Sequence, residues 1–426
     1  MASWRRPSDA ARSTMTRASS GPRVVMFDPG AFLPYYVDAL CRSLSALGVT
    51  VRVVASPPLF EPVDPDGAYE IDHFFFPFLR GAVRALVRRR TTIRQVVKGL
   101  SYPFGLLRTW RALRRGPTGV FHVQWTPFPA LDRVLVRALR QRGWRIVYTE
   151  HDPLPAPSRR TRRRHHLELL RLADAVIVHT VQQHQEISEA APEMAECVHV
   201  IAHGAARAAR PNAAVRAQAR ERLRIHPDRR LLLAFGLIKP YKGLDSLLAA
   251  MPNVVATLPD VLLLIAGEPL MPLRGLEQQI DLLGLRDHVS LRPGFVPTHE
   301  VPNYLHAADL LVAPYVSIGA SGVVVMAQGH GLPAVVTRVG GLPEFVEADA
   351  CGLVVPPRAP AELATAICRA LGDRDALAQM GERAWRRLAR ENDWSDVAER
   401  TLALYEAGAR SRRDTPEGSA KVVSHR

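Results

Sequence analysis

The sequence is poor in lysine and cysteine and contains no long apolar run. Only four of its 56 basic residues are lysine, so the formal charge of +15 reflects an arginine-rich composition and is weak evidence for nucleic-acid binding. The four cysteines, at 41, 197, 351 and 368, lie far apart, which excludes a disulfide scaffold and a structural zinc site. No segment reaches the roughly 18 apolar residues that a membrane-spanning helix needs. We therefore expect a cytoplasmic protein, at most peripheral on the inner face of the membrane.

Short apolar strands alternate with amphipathic helices along the chain, beginning with the strand Val24–Phe27. This alternation predicts an α/β protein with parallel sheets that carry helices on both faces. A polar stretch between His203 and Val215 separates two such series, so we expect two doubly wound domains that face a central ligand cleft. The predicted organisation is a disordered arm over 1–22, Rossmann-like domains over 23–205 and 206–392, a helix over 393–406 that crosses back to the first domain, and a disordered tail over 407–426.

The loop from Phe235 to Gly243 has the composition of a phosphate-binding loop. It leaves the first strand of the second domain and enters a helix, where free backbone amides suit an anion. Lys239 and Lys242, two of the four lysines, fall in this loop and indicate a need for compact ammonium groups. The alternative interpretation is an ordinary solvated turn.

A second candidate anion site lies in the glycine-rich segment that follows Pro314. Ser321 can cap a helix that begins at Gly322, and the amides of Gly322 and Val323 would then face an approaching anion. Glycine-rich capped helices also occur where a helix packs closely on a strand, so this segment alone leaves both interpretations open.

Together these segments resemble the retaining glycosyltransferases of family four, which have the GT-B fold. The resemblance includes FGLIKPYKGLDSLLAAM at 235–251, AADLLVAPY at 307–315, GLPAVVTRVGGLPEFVEADACGLVVPP at 331–357 and, in the first domain, YTEHD at 148–152 and ADAVIVHT at 173–180. It implies transfer of a sugar from a nucleotide-diphosphate donor to an acceptor hydroxyl with retention, in polysaccharide, glycolipid or secondary-metabolite glycosylation. It also implies that neither a metal nor another cofactor is required.

The family assigns roles to residues of both domains. In the second domain, Lys239 and Lys242 would stabilise the departing diphosphate, and the other donor contacts would come from Gly236, Phe295, Val296, Ser321, Gly322 and Val323. In the first domain, His151 of the YTEHD motif would contact the donor sugar near the transferring bond. Asp152 would either orient the His151 ring or bind an acceptor hydroxyl. Asp28, Gly30 and Trp125 would line the acceptor side, although Trp125 can equally belong to the core.

Two positions depart from the family pattern. Members carry two glutamates eight residues apart, one near the donor sugar and one on the nucleotide ribose, where this chain has Ile318 and Met326. Glu344 either substitutes in part for them or caps the following helix. We expect a divergent but active enzyme, and the alternative is a degenerate GT-B protein that binds a sugar or nucleotide without transferring it.

Positions 73–90 combine aromatic with basic residues, as an interfacial membrane segment would, and suggest contact with an anionic membrane surface. Phe74, Phe75 and Phe76 precede Arg80, and a second basic cluster spans 159–164. The alternative is a solvated helix face in an arginine-rich protein. We expect the partners to be a nucleotide-sugar donor and a hydroxyl acceptor. A membrane-docked enzyme would take a lipid-linked acceptor. We do not expect nucleic acid to be a partner.

Overall fold

Two parallel β-sheets form the framework of the molecule. The computed structural model describes residues 21–31, 34–58, 60–76, 91–208, 212–347, 350–391 and 393–413. The first sheet has the order β3-β2-β1-β4-β5-β6-β7, with β1 (Arg23–Asp28), β2 (Thr50–Ala55), β3 (Glu70–His73), β4 (Val120–Val123), β5 (Arg145–Glu150), β6 (Ala175–Val178) and β7 (Val198–Val200). The second has the order β10-β9-β8-β11-β12-β13, with β8 (Arg230–Phe235), β9 (Val261–Gly267), β10 (Val289–Pro293), β11 (Leu310–Ala313), β12 (Ala334–Thr337) and β13 (Gly352–Val355).

Helices connect these strands. Those of the first domain are α1 (Pro34–Ala46), α2 (Thr91–Leu113), α3 (Pro129–Gln141), α4 (Arg160–Leu170) and α5 (Val181–Ala190). Those that follow are α6 (Ala213–Arg222), α7 (Leu244–Thr257), α8 (Arg274–Leu282), α9 (Val301–Ala307), α10 (Gly322–Gly329), α11 (Leu342–Val346), α12 (Pro360–Gly372), α13 (Arg374–Glu391) and α14 (Trp394–Arg413). Within the described residues, none of the helices combines the length and the apolar character needed to cross a membrane.

The predicted doubly wound fold is confirmed in both halves of the chain. Strand order reverses between β1 and β4 in the first sheet and between β8 and β11 in the second, which creates a crevice at the carboxyl ends of the strands. The inner strands are largely apolar because helices cover both faces, as in β6, β11 and β12, where every residue is buried, whereas the edge strands β3 and β10 carry polar residues.

The last helix, α14, packs on the first domain. Tyr405 is 2% exposed, and its hydroxyl lies 2.6 Å from Nδ1 of His122 on β4. Arg145 donates from Nε to the carbonyl of Leu404 at 3.0 Å. The helix runs to Arg413, so the prediction of a disordered tail from 407 is wrong over 407–413, and 414–426 lie outside the described residues. The predicted arm also lies outside them, except for residues 21 and 22.

The prediction that the aromatic run faces a membrane is wrong for the part that the structure describes. Phe75 and Phe76 are 0% and 2% exposed and belong to the core of the first domain. The Phe75 ring contacts Phe27 edge-on at 5.6 Å and Tyr102 at 5.1 Å between centroids. Phe74 is partly buried against the same cluster. Burial of large aromatic side chains here stabilises the sheet, and the basic residues 80–90 lie outside the described chain.

Candidate active site

The loops at the carboxyl ends of the two sheets meet at two points near the rims of the cleft. At one, the Phe60 ring of the first domain stacks on Phe295, with centroids 4.7 Å apart and planes 7° from parallel. Beside this stack, Glu61 accepts hydrogen bonds from the Thr298 amide at 3.0 Å and its hydroxyl at 2.8 Å. These hydrogen bonds, of which the one from the Thr298 amide has the largest effect, hold the pKa of Glu61 below its usual value.

Glu344 makes the second contact between the domains. Its two carboxylate oxygens accept hydrogen bonds from the backbone amides of Val181 and Gln182, each at 2.8 Å, at the amino end of α5. A carboxylate at a helix start is favoured by the helix dipole. Glu344 therefore does cap a helix, but the helix belongs to the other domain, and its role as a substitute for the missing glutamates is not supported.

The floor of the cleft lies between the glycine-rich loop and the β5 loop. A methyl group on Gly319 would lie 2.6 Å from Nε2 of Gln183 and 3.2 Å from the carbonyl oxygen of His151. One on Gly322 would lie 3.0 Å from Nε2 of His203. A side chain at either position would force Gln183 or His203 to shift, so the close approach of the two domains favours glycine at both.

Three parts of the second domain converge around the Lys242 ammonium. Lys242 is 7% exposed and donates from Nζ to the Tyr315 hydroxyl at 2.5 Å, with the same Nζ 4.1 Å from the centre of the Tyr315 ring. Gly236, at φ +101°, directly follows β8 and keeps the space clear, since a methyl there would lie 3.6 Å from Lys242 Nζ and 3.3 Å from Cγ2 of Val323. Burial lowers the pKa of Lys242 to about 8.

The start of α10 supplies the third part of this convergence. The Ser321 hydroxyl accepts a hydrogen bond from the Val324 amide at 3.4 Å, so the predicted cap is present. The amides of Gly322 and Val323 lie in the first turn, where an α-helix leaves its amide groups without acceptors of its own. A cationic side chain beside such a turn is a favourable environment for a phosphate.

Lys239 faces Asp152 across the domain boundary. Burial lowers the pKa of Lys239, and the Asp152 carboxylate opposes that shift. Asp152 is exposed on the wall of the cleft, with atoms of both domains around it. The resulting loss of hydration, together with the Glu150 carboxylate, raises the pKa of Asp152 to about 6. Asp152 does not orient the His151 ring, because other side chains contact both ring nitrogens.

Those side chains are Gln124 and His179. His151 is 8% exposed, with Nε2 lying 3.0 Å from the Gln124 carboxamide and Nδ1 lying 3.0 Å from Nε2 of His179. The Tyr36 ring packs edge-on against His151, with centroids 4.8 Å apart. Burial, together with the neighbouring His179, holds the pKa of His151 well below its usual value, so the ring is neutral at physiological pH.

The predicted acceptor residues lie at the carboxyl ends of β1 and β4. Asp28 is 2% exposed and Gly30 is also buried, which does not support direct contact of either with an acceptor. Trp125 is half-buried just beyond β4. His151, Asp152, Gln183 and His203 of the first domain lie beside the second-domain loops that are predicted to hold the donor.

Ile318 and Met326 contribute apolar surface where the family has carboxylates. Both side chains are partly buried against the core of the second domain, in a cluster that also includes Val323 and Phe235. No group of three or more His, Cys, Asp or Glu side chains in the described chain is arranged to hold a metal ion.

Comparison with known proteins identifies the family. A model of Glycosyltransferase Family 4 matches residues 34–209, and a model of Glycosyl transferases group 1 matches residues 229–373. The chain belongs to the family 4, group 1 glycosyltransferases. It is 35% identical over 199 residues to the D-inositol 3-phosphate glycosyltransferase of Segniliparus rotundus, covering 46% of this chain and 44% of the relative.

Two further proteins place this family 4 chain among its relatives. It is 33% identical over 181 residues to a GDP-mannose-dependent alpha-(1-6)-phosphatidylinositol monomannoside mannosyltransferase of Mycobacterium tuberculosis, covering 40% of this chain and 46% of the relative. The chain therefore matches about half the length of these relatives. Anabaena HepE in complex with UDP and glucose has the same fold, with a TM-score of 0.71 and 19% identity over 92% of this chain and 99% of that one.

The family 4 site contains residues that the sequence prediction missed. Tyr315 holds the Lys242 ammonium, Gln124 and His179 contact His151, and Phe60 covers Phe295. The sequence did point to Tyr315 and His179, because His179 directly follows β6 and Tyr315 lies two residues after β11, both at the carboxyl ends of strands. Gln124 also follows a strand, but nothing local indicated that it would bond to a histidine 27 residues away.

Proposed function

We propose that the protein transfers a sugar from a nucleoside-diphosphate donor to an acceptor hydroxyl, with retention of anomeric configuration. The observation that carries this proposal is the convergence of Lys242, Gly236 and the start of α10 opposite the His151 loop. Family membership supports the same reaction class. Phe295 and Val296, at the rim of this convergence, would lie near the nucleotide base.

The diphosphate would sit between the ammonium groups and the helix start. Lys242 and Lys239 would neutralise the leaving diphosphate, with the amides of Gly322 and Val323 binding its oxygens. Two cations in a partly dehydrated site can take the place of a divalent metal, so EDTA should not abolish turnover.

The strongly lowered pKa of His151 makes its ring a weak general base, which favours a reaction without a protein base at this position. In our proposal the acceptor hydroxyl attacks the face from which the diphosphate leaves, and a phosphate oxygen takes its proton. Asp152, whose pKa is raised to about 6, would then bind the acceptor hydroxyl or interact with Lys239. NMR of the product's anomeric proton distinguishes retention from inversion.

The acceptor would bind on the first domain. The names of two relatives include an inositol phosphate and a phosphatidylinositol mannoside, so a polyol or glycolipid acceptor is the first class to test. Exposed arginines at the start of α4, among them Arg160 and Arg164, are available to bind an acceptor phosphate or an anionic membrane. Sedimentation with anionic and neutral liposomes at low salt tests the second of these.

The decisive experiment is a donor screen with matched variants. Purified protein is tested for thermal stabilisation and sugar release with UDP-, GDP- and ADP-sugars, as wild type, Lys242→Met and Arg222→Met, the last removing an exposed cation on α6 of the same domain. We expect one donor to stabilise and turn over, with both effects lost only in Lys242→Met. Stabilisation by a nucleotide without turnover of any donor would favour the second candidate, a degenerate binding protein, for which Ile318 and Met326 are the specific observation.

A further inference from the structure

A line of buried polar side chains joins the last helix to the floor of the cleft. The line starts at the Tyr405 hydroxyl, which lies 2.6 Å from Nδ1 of His122, and Nε2 of His122 lies 3.1 Å from the Gln124 carboxamide. The other end of that carboxamide lies 3.0 Å from Nε2 of His151. Nδ1 of His151 lies 3.0 Å from Nε2 of His179, and Nδ1 of His179 lies 3.0 Å from the Ile201 carbonyl oxygen. The Thr149 hydroxyl also lies 2.7 Å from His122 Nε2.

Proton counting along this line starts at its fixed end. The Ile201 carbonyl can only accept, so His179 must donate to it from Nδ1. A neutral His179 then has a bare Nε2, which must accept from Nδ1 of His151. Burial lowers the pKa of His179 to about 3, so a second proton on that ring is not available at neutral pH.

The count continues through Gln124. With its proton on Nδ1, neutral His151 has a bare Nε2 that needs a donor, so Gln124 must present its NH₂ group to His151 and its oxygen to His122. The two ends of a carboxamide have the same shape, and a half-turn exchanges them. In the structure the Gln124 oxygen faces His151, and Nε2 faces His122 and donates to Sδ of Met26 at 3.2 Å. That orientation leaves two lone pairs facing each other or requires a second proton on one histidine, so the half-turn, which gives up the weak bond to sulfur, is favoured.

The hydrogen bonds of His122 have the same donor-to-acceptor direction. His122 donates from Nε2 to the Gln124 oxygen and to Thr149, and its bare Nδ1 accepts from the Tyr405 hydroxyl. Burial lowers the pKa of His122 to about 3, which excludes the doubly protonated ring here as well. Each ring N–H in the line, and the Tyr405 hydroxyl, then has an acceptor, as buried polar groups require.

We infer that Gln124 and His179 are positioning residues that hold His151 as the neutral Nδ1–H tautomer, through a one-way hydrogen-bond line from Tyr405 to the Ile201 carbonyl. Both ring nitrogens of His151 are thereby used inside the protein, and neither exchanges a proton with substrate. The rings of Tyr36, His179 and His203 enclose this region, with Tyr36 and His203 centroids 4.9 Å apart and His179 and His203 centroids 5.2 Å apart. The consequence for catalysis rests on the proposed transferase function, but the tautomer does not.

The tautomer is measured directly on the full chain labelled with ¹⁵N-histidine. Two-bond ¹H–¹⁵N correlations distinguish Nδ1–H from Nε2–H rings, and single substitutions assign them. We expect His151 and His179 to be Nδ1–H, His122 to be Nε2–H, and none of the three to titrate between pH 6 and 9. An Nε2–H ring at His151, or titration of His151 within that range, would overturn the inference whether or not the protein is a transferase.

Two substitutions of His179 test the positioning role. His179→Gln keeps an acceptor and a donor at nearly the same spacing, whereas His179→Phe keeps the ring packing but removes both. We expect His179→Phe to give a mixed His151 tautomer and to lower kcat about tenfold, as for the loss of one buried hydrogen bond, with His179→Gln restoring both. His226→Gln, at an exposed histidine on the second domain, is the matched control.

Equal His151 spectra in the Phe and Gln variants would refute the role. Thermal unfolding of each variant shows whether the fold is kept. If wild type turns over no donor, the proposed function fails while the spectra still decide the tautomer.

Discussion

The Lys242 ammonium is buried, and burial disfavours its charged form. We therefore expect Lys242→Met to stabilise the ligand-free protein while weakening its binding of a diphosphate. Burial lowers the pKa of this group from 10.5 in the unfolded chain to about 8 in the folded protein. A lowered lysine pKa means that the charged form is disfavoured by folding, so the cost is full below about pH 8 and disappears above about pH 10.5. At about 1.36 kcal/mol per pKa unit, the upper bound of this cost is about 3 kcal/mol.

Methionine has a similar length and no charge, so it removes the cost. We expect Lys242→Met to raise the free energy of unfolding of the ligand-free protein by about 1–3 kcal/mol at pH 7, and the gain to shrink toward pH 10. The same change should weaken UDP binding at least about tenfold, because a charge-assisted hydrogen bond to phosphate is lost. Urea unfolding at several pH values and isothermal titration with UDP measure the two effects.

Wild-type UDP binding should also depend on pH in a defined direction. A bound diphosphate favours the ammonium, so binding takes up a proton above about pH 8, and affinity should fall up to about tenfold between pH 8 and 9. Lys239→Met should keep this slope, because Lys242 remains. Destabilisation by more than about 1 kcal/mol in Lys242→Met at pH 7, or unchanged UDP affinity, would refute the reasoning.

Three further predictions concern other parts of the site. Glu344→Gln should weaken the contact with the amino end of α5 by about 0.3–1 kcal/mol and increase the radius of gyration of the ligand-free protein in X-ray scattering. An unchanged radius of gyration would show that the contact does not hold the domains together. Tyr405→Phe should leave His122 Nδ1 without its partner and cost about 1–3 kcal/mol in urea unfolding, whereas Tyr304→Phe, which removes a hydroxyl elsewhere, should cost less. Wild type should bind UDP and 2′,3′-dideoxy-UDP within about threefold, because Met326 is a weak acceptor for ribose hydroxyls, and a preference above tenfold would contradict this.

The sequence supported the fold better than it supported the site, and the reason is the range of the interactions involved. A buried parallel strand is a local apolar run, so β8 and β11 were predictable within a residue or two. The aromatic run at Phe75 was misinterpreted because its burial depends on Phe27 and Tyr102, which are distant in sequence. Lys242 was recognised from its loop, but its partner Tyr315 lies 73 residues away and could be found only from the fold.

Lys242 is a buried cation in a domain that lacks the two glutamates of the family pattern. A carboxylate close to a buried ammonium raises its pKa, and the only neighbour that raises the pKa of Lys242 among the described residues is Tyr241. Ile318 and Met326 instead add apolar surface to the core of the same domain and supply no counter-charge. Lys242 is therefore a buried cation held by one tyrosine hydroxyl and one aromatic face, and a bound diphosphate would supply the anion that the protein does not. Such a site gains more from the charge of its ligand than one in which a glutamate already neutralises the lysine, so loss of the two carboxylates is compatible with donor binding.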